Sequence, residues 1–114
     1  MSDTNYKKCI DDAILSFALG DEIEAKEALL NVLDSNPTSL DALRAVAEVL
    51  LALNEIDSSE SFCRRALDLE PDDLTSMVTL ARILVKKGDK EGAEDASAKA
   101  RILGWKEELA DGNE

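Results

Sequence analysis

Pro37 and Pro71 stand thirty-four residues apart, and four other sets of residues keep the same interval. Gly20, Asn54 and Gly88 form one set, and Ala13, Ala47 and Ala81 a second. Ala25, Ser59 and Ala93 form a third, and Val32, Ala66 and Ala100 a fourth. Several independent series in one register mark a chain built from three copies of one supersecondary unit. Each unit is too small to bury its own apolar face, so the copies must stack on one another.

Each series has a physical role. Gly and Asn enter the left-handed backbone region most readily, so Gly20, Asn54 and Gly88 each end a first helix and open a turn. The small residues Ala13, Ala47 and Ala81, set against Ala25, Ser59 and Ala93, let two antiparallel helices approach closely. Asp21 with Glu24, and Asp57 with Glu60, have the spacing of a capping box at the start of a second helix. Thr38 and Asp72, each following a proline, are expected to start the next first helix. Asp89 opens the last second helix without a Glu partner.

Between these punctuation marks the apolar residues recur at helical spacing. Leu40, Leu43, Val46, Ala47 and Leu50 make one stripe, and Leu74, Met77, Leu80, Ala81 and Leu84 make its neighbour. The second helices carry Ala25, Ala28, Leu29, Val32 and Leu33, then Phe62, Cys63, Ala66 and Leu67. No β-alternation competes. Six helices are expected, near residues 5–19, 22–35, 39–53, 57–69, 73–87 and 90–103.

Thirty-four residues per unit, a Gly-Asp or Asn-Glu turn between helices, paired small residues and the Leu-Asp-Leu-Glu-Pro ending at Pro71 together resemble tetratricopeptide repeats. The resemblance covers residues 6 to about 105. It implies an all-α, right-handed solenoid of three helix-turn-helix hairpins with a short C-terminal cap. The boundaries are a tail over 1–5, repeats over 6–37, 38–71 and 72–105, and a cap turn with a disordered acidic tail over 106–114. The family's bulky aromatic early in the first helix is replaced by Cys9, Leu43 and Met77. Its final proline is replaced by Trp105.

The ends of the array read as polar. Where the second helices of repeats one and two offer Leu29, Leu33, Cys63 and Leu67 to a neighbour, repeat three has Ser97 and Arg101. Repeat one has Asp12 and Ser16 where later repeats have Val46, Leu50, Leu80 and Leu84. Three repeats are therefore expected to be the whole array. Trp105 is expected to cover the open end of the core, with a role as a docking anchor as the alternative.

First helices line the concave face of such a solenoid. The resemblance therefore implies a partner-binding surface of Lys7, Ile10, Ile14 and Phe17, then Asp41, Arg44, Glu48 and Leu51, then Thr75, Val78, Arg82 and Val85, with Lys86 at the edge. On that reading a peptide or helical segment lays apolar side chains over Phe17 and an acidic group near Arg44 and Arg82. The alternative is a first helix rotated so that Ile10, Ile14 and Phe17 enter the core. Arg44 and Glu48, four apart, also read as a plain surface ion pair. The carboxylate clamp by which some members of the family grip the C-terminus of heat-shock proteins is absent, because Ile10, Ile14, Ala45, Thr75 and Thr79 hold its positions.

Chemistry other than binding is poorly provided for. The chain has no histidine, the commonest general base and metal ligand near neutral pH. Cys9 and Cys63 are too few for a zinc site and read as reduced core residues. Gly88 and Gly92 belong to a turn and a helix entry, so no phosphate loop is present. No enzyme activity, metal or cofactor is expected.

The net charge of −12 disfavours nucleic acid and anionic membranes. Residues 1–60 carry 13 acids and 4 bases, against 12 and 9 in residues 61–114, so a basic partner is steered to the N-terminal half. The acidity also serves plain solubility. No signal peptide or apolar span follows Met1, and a cytoplasmic protein is expected. The expected function is a protein-binding module or adaptor, monomeric or weakly dimeric. The alternatives are a self-assembling scaffold and a small secretion or assembly chaperone.

Overall fold

The computed structural model describes residues 3–112 and contains six α-helices: α1 (Asp3–Ala18), α2 (Glu22–Ser35), α3 (Leu40–Ala52), α4 (Ile56–Leu69), α5 (Leu74–Lys87) and α6 (Lys90–Gly112). Three hairpins, α1–α2, α3–α4 and α5–α6, stack in order. Among the described residues no helix is long and apolar enough to cross a membrane.

The turns within hairpins follow the left-handed residues. Gly20, Asn54 and Gly88 have φ of 95°, 63° and 78°. Just beyond each, an amide reaches back five residues: Asp21 to Ser16, Glu55 to Leu50 and Asp89 to Leu84, at 2.8–2.9 Å. This closes the first helix and reverses the chain in one step. The turns between hairpins work differently. Asn36 and Glu70, each preceding a proline, both adopt φ of −139°, the extended geometry that the following ring imposes.

The caps differ in detail from expectation. Ser39 and Asp73, one residue beyond Thr38 and Asp72, cap α3 and α5 by accepting from the amides of Ala42 and Ser76. The extended pre-proline residue leads into a two-residue turn before the helix can begin, which shifts the cap by one. Neither expected capping box forms. Asp21 makes no side-chain cap bond, and α4 is entered from Glu55, which leaves Asp57 inside its first turn. The left-handed turn delivers the chain straight into the second helix there. Asp89 does cap α6, accepting from the Gly92 amide at 2.9 Å.

The paired small residues are where the helices of each hairpin meet. Ala13, Ala25, Ala47 and Ser59 are at most 2% exposed, and the Ser59 hydroxyl donates to the Ala47 carbonyl at 2.6 Å. A larger side chain at either position would force the helices apart. One apolar cluster runs through α1 to α4 around Leu29, Leu43, Val46 and Leu50, and a second through α3 to α6 around Cys63, Leu80, Ile83 and Leu84. Phe62 packs against both.

Both ends depart from the sequence reading. The helix begins at Asp3 within the expected tail of residues 1–5; Met1 and Ser2 lie outside the described residues. In place of a cap turn and disordered tail over 106–114, α6 continues unbroken to Gly112, with residues 113 and 114 outside the described part. The family's terminating proline is missing, and Lys106-Glu107-Glu108-Leu109-Ala110 are all good helix formers. Trp105 does not cover the core. It is 65% exposed, and Leu103 buries instead. Ile102, Trp105 and Leu109 make an exposed apolar stripe on α6. At the other end Asp12 is exposed, but so are Leu15, Leu19 and Ile23, so that face is only partly polar.

Candidate functional site

The stacking order determines which helices can form a groove. The first helices α1, α3 and α5 approach one another in succession to within 8 Å between Cα atoms, whereas among the described residues α2, α4 and α6 do not approach each other that closely. Helices in mutual contact lie on the inside of a curved stack, and those splayed apart lie on its outside. Three first helices therefore line the concave face.

A cleft of about 390 Å³ lies on that face, lined by α1, α3 and the start of α5. Eight of the thirteen residues named from the sequence line it: Lys7, Ile10, Ile14 and Phe17 from α1, Asp41, Arg44 and Glu48 from α3, and Thr75 from α5. Asp11, Ala45 and Val49 complete the lining. These three were not named from the sequence as groove residues. Asp11 and Ala45 lie one residue from a named position, and Val49 looks like plain core. A stripe widened to i+4 neighbours takes in Asp11 from Lys7 and Ala45 from Asp41, but not Val49.

The alternative of a rotated first helix is met for two of its three residues. Ile10 is buried and Phe17 half-buried, both packed on the core beneath the cleft, while Ile14 stays 47% exposed. The stripe thus serves core and groove together. Its inner residue makes the floor and its outer one the accessible surface.

The five remaining residues fall elsewhere. Leu51 is buried in the second apolar cluster, and Val78, Arg82, Val85 and Lys86 are exposed but outside the cleft. Phe17, Leu51 and Val85 occupy one position of the repeat yet are half-buried, buried and 68% exposed. Leu51 packs in one cluster with α5 and α6 residues, whereas Val85 belongs to the third of the described hairpins and stays open to solvent. Val85 instead borders a second cleft, of about 400 Å³, with Gly88, Lys90, Ala93, Glu94, Ser97 and Arg101.

Arg44 and Arg82, expected to lie near an acidic group of a partner, both pair with carboxylates of this chain. Arg44 gives Nε to Asp73 at 2.9 Å and Nη1 to Asp41 at 3.1 Å, and its Nη2 also pairs with Asp73. Arg82 pairs with Glu48 across hairpins at 3.4 Å, and Lys7 with Asp11 at 3.2 Å. Glu48 therefore answers Arg82, not Arg44 as a helix-surface pair would have it. Asp73 is only 7% exposed and also accepts from the Ser76 amide. Burial alone would raise its carboxyl, but the hydrogen bonds from Arg44 and Ser76 outweigh this and hold it below the usual carboxylate range. The same contact raises the Arg44 guanidinium still further.

On the convex side, Glu60 is lowered by hydrogen bonds from Lys87, which ties α4 to α5, and from Arg64 within α4. Cys63 is buried, donates to the Ser76 carbonyl, and is pushed up to about 11 by burial. Both cysteines are free thiols. Among the described residues no cluster of Cys, Asp and Glu has the arrangement of a metal site.

Residues 42–73 match the sequence profile of the family described as Tetratricopeptide repeat. No curated protein matches the sequence. Solved structures similar in fold include the first tetratricopeptide domain of Spaghetti (RPAP3) bound to the HSP90 peptide SRMEEVD. That likeness has 16% identity over 90% of this chain and 82% of that one, with a TM-score of 0.85. The Yersinia enterocolitica type III secretion chaperone SycD, in complex with a peptide of the translocator YopD, is similar at 14% identity over 90% and 78% of the two chains, with a TM-score of 0.83. PcrH in complex with the chaperone-binding region of PopD is similar at 13% identity over 90% and 77%, with a TM-score of 0.85. The second hairpin is thus similar in sequence to a tetratricopeptide repeat, and the three hairpins together have the tetratricopeptide solenoid fold.

Proposed function

We propose that this protein is a non-enzymatic interaction module that holds a segment of a partner protein in the concave cleft between α1, α3 and α5. The observation that carries this reading is the cleft itself: an apolar floor of Ile10, Ile14, Phe17 and Val49 within a rim of charged side chains. An accessible apolar floor with an ordered polar rim suits a peptide that inserts one or two apolar side chains. Three proteins of the same fold are each seen with a peptide or a binding region of another protein, which supports the reading by analogy of fold. One of them is a secretion chaperone and another is held on a chaperone-binding region, which favours a chaperone as the particular kind of module.

The test is affinity capture from cell extract with the wild-type chain and with Ile14→Ser and Phe17→Ser, each checked for helicity. A partner lost from both variants supports the cleft. A partner captured equally by both overturns it. A second reading, self-association, has support from the exposed stripe of Ile102, Trp105 and Leu109. Light scattering of the wild type and of Trp105→Ser at high concentration decides it: a dimer abolished by the substitution supports self-association, and a monomer throughout removes it.

A further inference from the structure

The cations at the cleft are already engaged by this chain's own carboxylates. All three guanidinium nitrogens of Arg44 are spent on Asp73 and Asp41, Arg82 is on Glu48, and Lys7 is on Asp11. The carboxylates are not equally spent. Asp41 and Asp11 have side chains 73% and 61% exposed, and Glu48 39% exposed, so each keeps oxygen surface turned to solvent. Lys7, Arg44 and Arg82 face Asp11, Asp41, Glu48 and Asp73, which leaves one negative charge in excess at the site. It sits in the half of the chain that carries 13 acids and 4 bases. An incoming carboxylate would have to approach Arg44 beside Asp41 and Asp73 and against that field, whereas an incoming ammonium or guanidinium is drawn by it.

Resting on the reading of the cleft as the partner site, we propose that its occupant is an apolar peptide segment flanked by lysine or arginine, not an acidic tail. The apolar side chains rest on Ile14 and Phe17, and the flanking cations meet Asp11 at one rim and Asp41 and Glu48 at the other. Rim charges of this kind act mainly on encounter rate and partner choice, while the apolar floor supplies the residence time. The Lys7–Asp11 pair is an exposed i,i+4 contact of little worth, so a ligand cation exchanges for Lys7 at small cost.

The test is selection of short peptides from a randomised display library on the folded wild-type chain. Counter-selection is on the Ile14→Ser/Phe17→Ser double variant, and the selected peptides are titrated by calorimetry. Apolar sequences with flanking Lys or Arg are expected to enrich. Replacing those cations by Glu should weaken binding about tenfold near 0.1 M salt, where the Debye length is ~10 Å, and far less near 1 M, where it is ~3 Å. Asp11→Asn/Asp41→Asn changes only exposed side chains, so the fold is retained, and it should cost the cationic peptides about three- to tenfold. Uncharged or acidic sequences that still need Ile14 and Phe17 would overturn the charge preference and leave the cleft standing. Cationic sequences indifferent to Asp11→Asn/Asp41→Asn would do the same. If no selected sequence depends on Ile14 and Phe17, the cleft reading and this inference fall together.

Discussion

Replacing Asp73 by alanine removes a helix cap and an ion pair at once, along with the bond that the Ser76 hydroxyl donates to it, and the structure lets the first two be sized. As the cap of α5, Asp73 accepts from the Ser76 amide at 3.0 Å, and losing a cap of this kind costs about 1 kcal/mol. As the partner of Arg44, it joins α5 to α3 through a pair whose side chains are 7% and 31% exposed. That burial lies between the surface case, worth under ~1 kcal/mol, and the fully buried case, where breaking a pair costs ~3–5 kcal/mol, so about 2 kcal/mol is expected. Asp73→Ala should therefore lose about 3 kcal/mol. With an unfolding entropy of about 2.1 cal/mol/K per residue, this lowers the Tm by about 12 °C. Asp73→Asn keeps an acceptor for Ser76 and should lose only the ionic part, about 6–8 °C. Thermal unfolding by circular dichroism of both variants, of Arg44→Met and of the Arg44→Met/Asp73→Asn double reads the coupling directly, expected at about 1–2 kcal/mol. A loss for Asp73→Ala no larger than the cap's ~1 kcal/mol, or a coupling below ~0.5 kcal/mol, would refute the claim that this pair locks the second hairpin to the third.

Acid should act through the same residue. Asp73 and Glu60 are both held below the usual carboxylate range, so the unfolded chain binds their protons first. Their contribution is complete above about pH 5 and is lost as pH falls through the lowered values, and Asp73→Asn should flatten the fall of stability with acid below about pH 5. Asn54 at φ 63° pays a left-handed strain that glycine avoids, so Asn54→Gly should raise the Tm by about 2 °C. Gly88→Ala meets no atom within 4 Å, so its whole cost is backbone strain of about 1 kcal/mol, read as a Tm loss of about 4 °C. In the native protein near pH 8 a thiol reagent should leave Cys63 untouched, because its thiol is buried and raised to about 11, and should reach it once urea unfolds the chain. Leu103→Ala should cost about 2–3 kcal/mol and Trp105→Ala under ~0.5 kcal/mol in urea denaturation, which checks that α6 packs through Leu103.

The groove was partly legible beforehand, and the misses share a cause. Arg44 and Arg82 look like free cations because their partners lie far along the chain: Asp73 is twenty-nine residues beyond Arg44, and Glu48 thirty-four before Arg82. A partner at such a separation belongs to the next hairpin, and one sequence does not say which of many carboxylates the stacking will bring there. Leu51 was placed in the groove by its register, but register describes a helix face and not what covers that face.

Local chemistry is written in the sequence by itself. The left-handed turns at Gly20, Asn54 and Gly88, the extended residues before Pro37 and Pro71, and the small pairs such as Ala47 with Ser59 depend on neighbours a few residues away or one helix back, and all are found where the thirty-four-residue period puts them. Three helical hairpins follow from those features alone. The tertiary structure decided the rest: that Phe17, Leu51 and Val85 share one repeat position at three levels of exposure, that the arginines of the concave face are neutralised, and that α6 runs on to Gly112. Exposure and charge pairing are set by what stacks against a helix, and stacking joins residues that the sequence holds a full repeat apart.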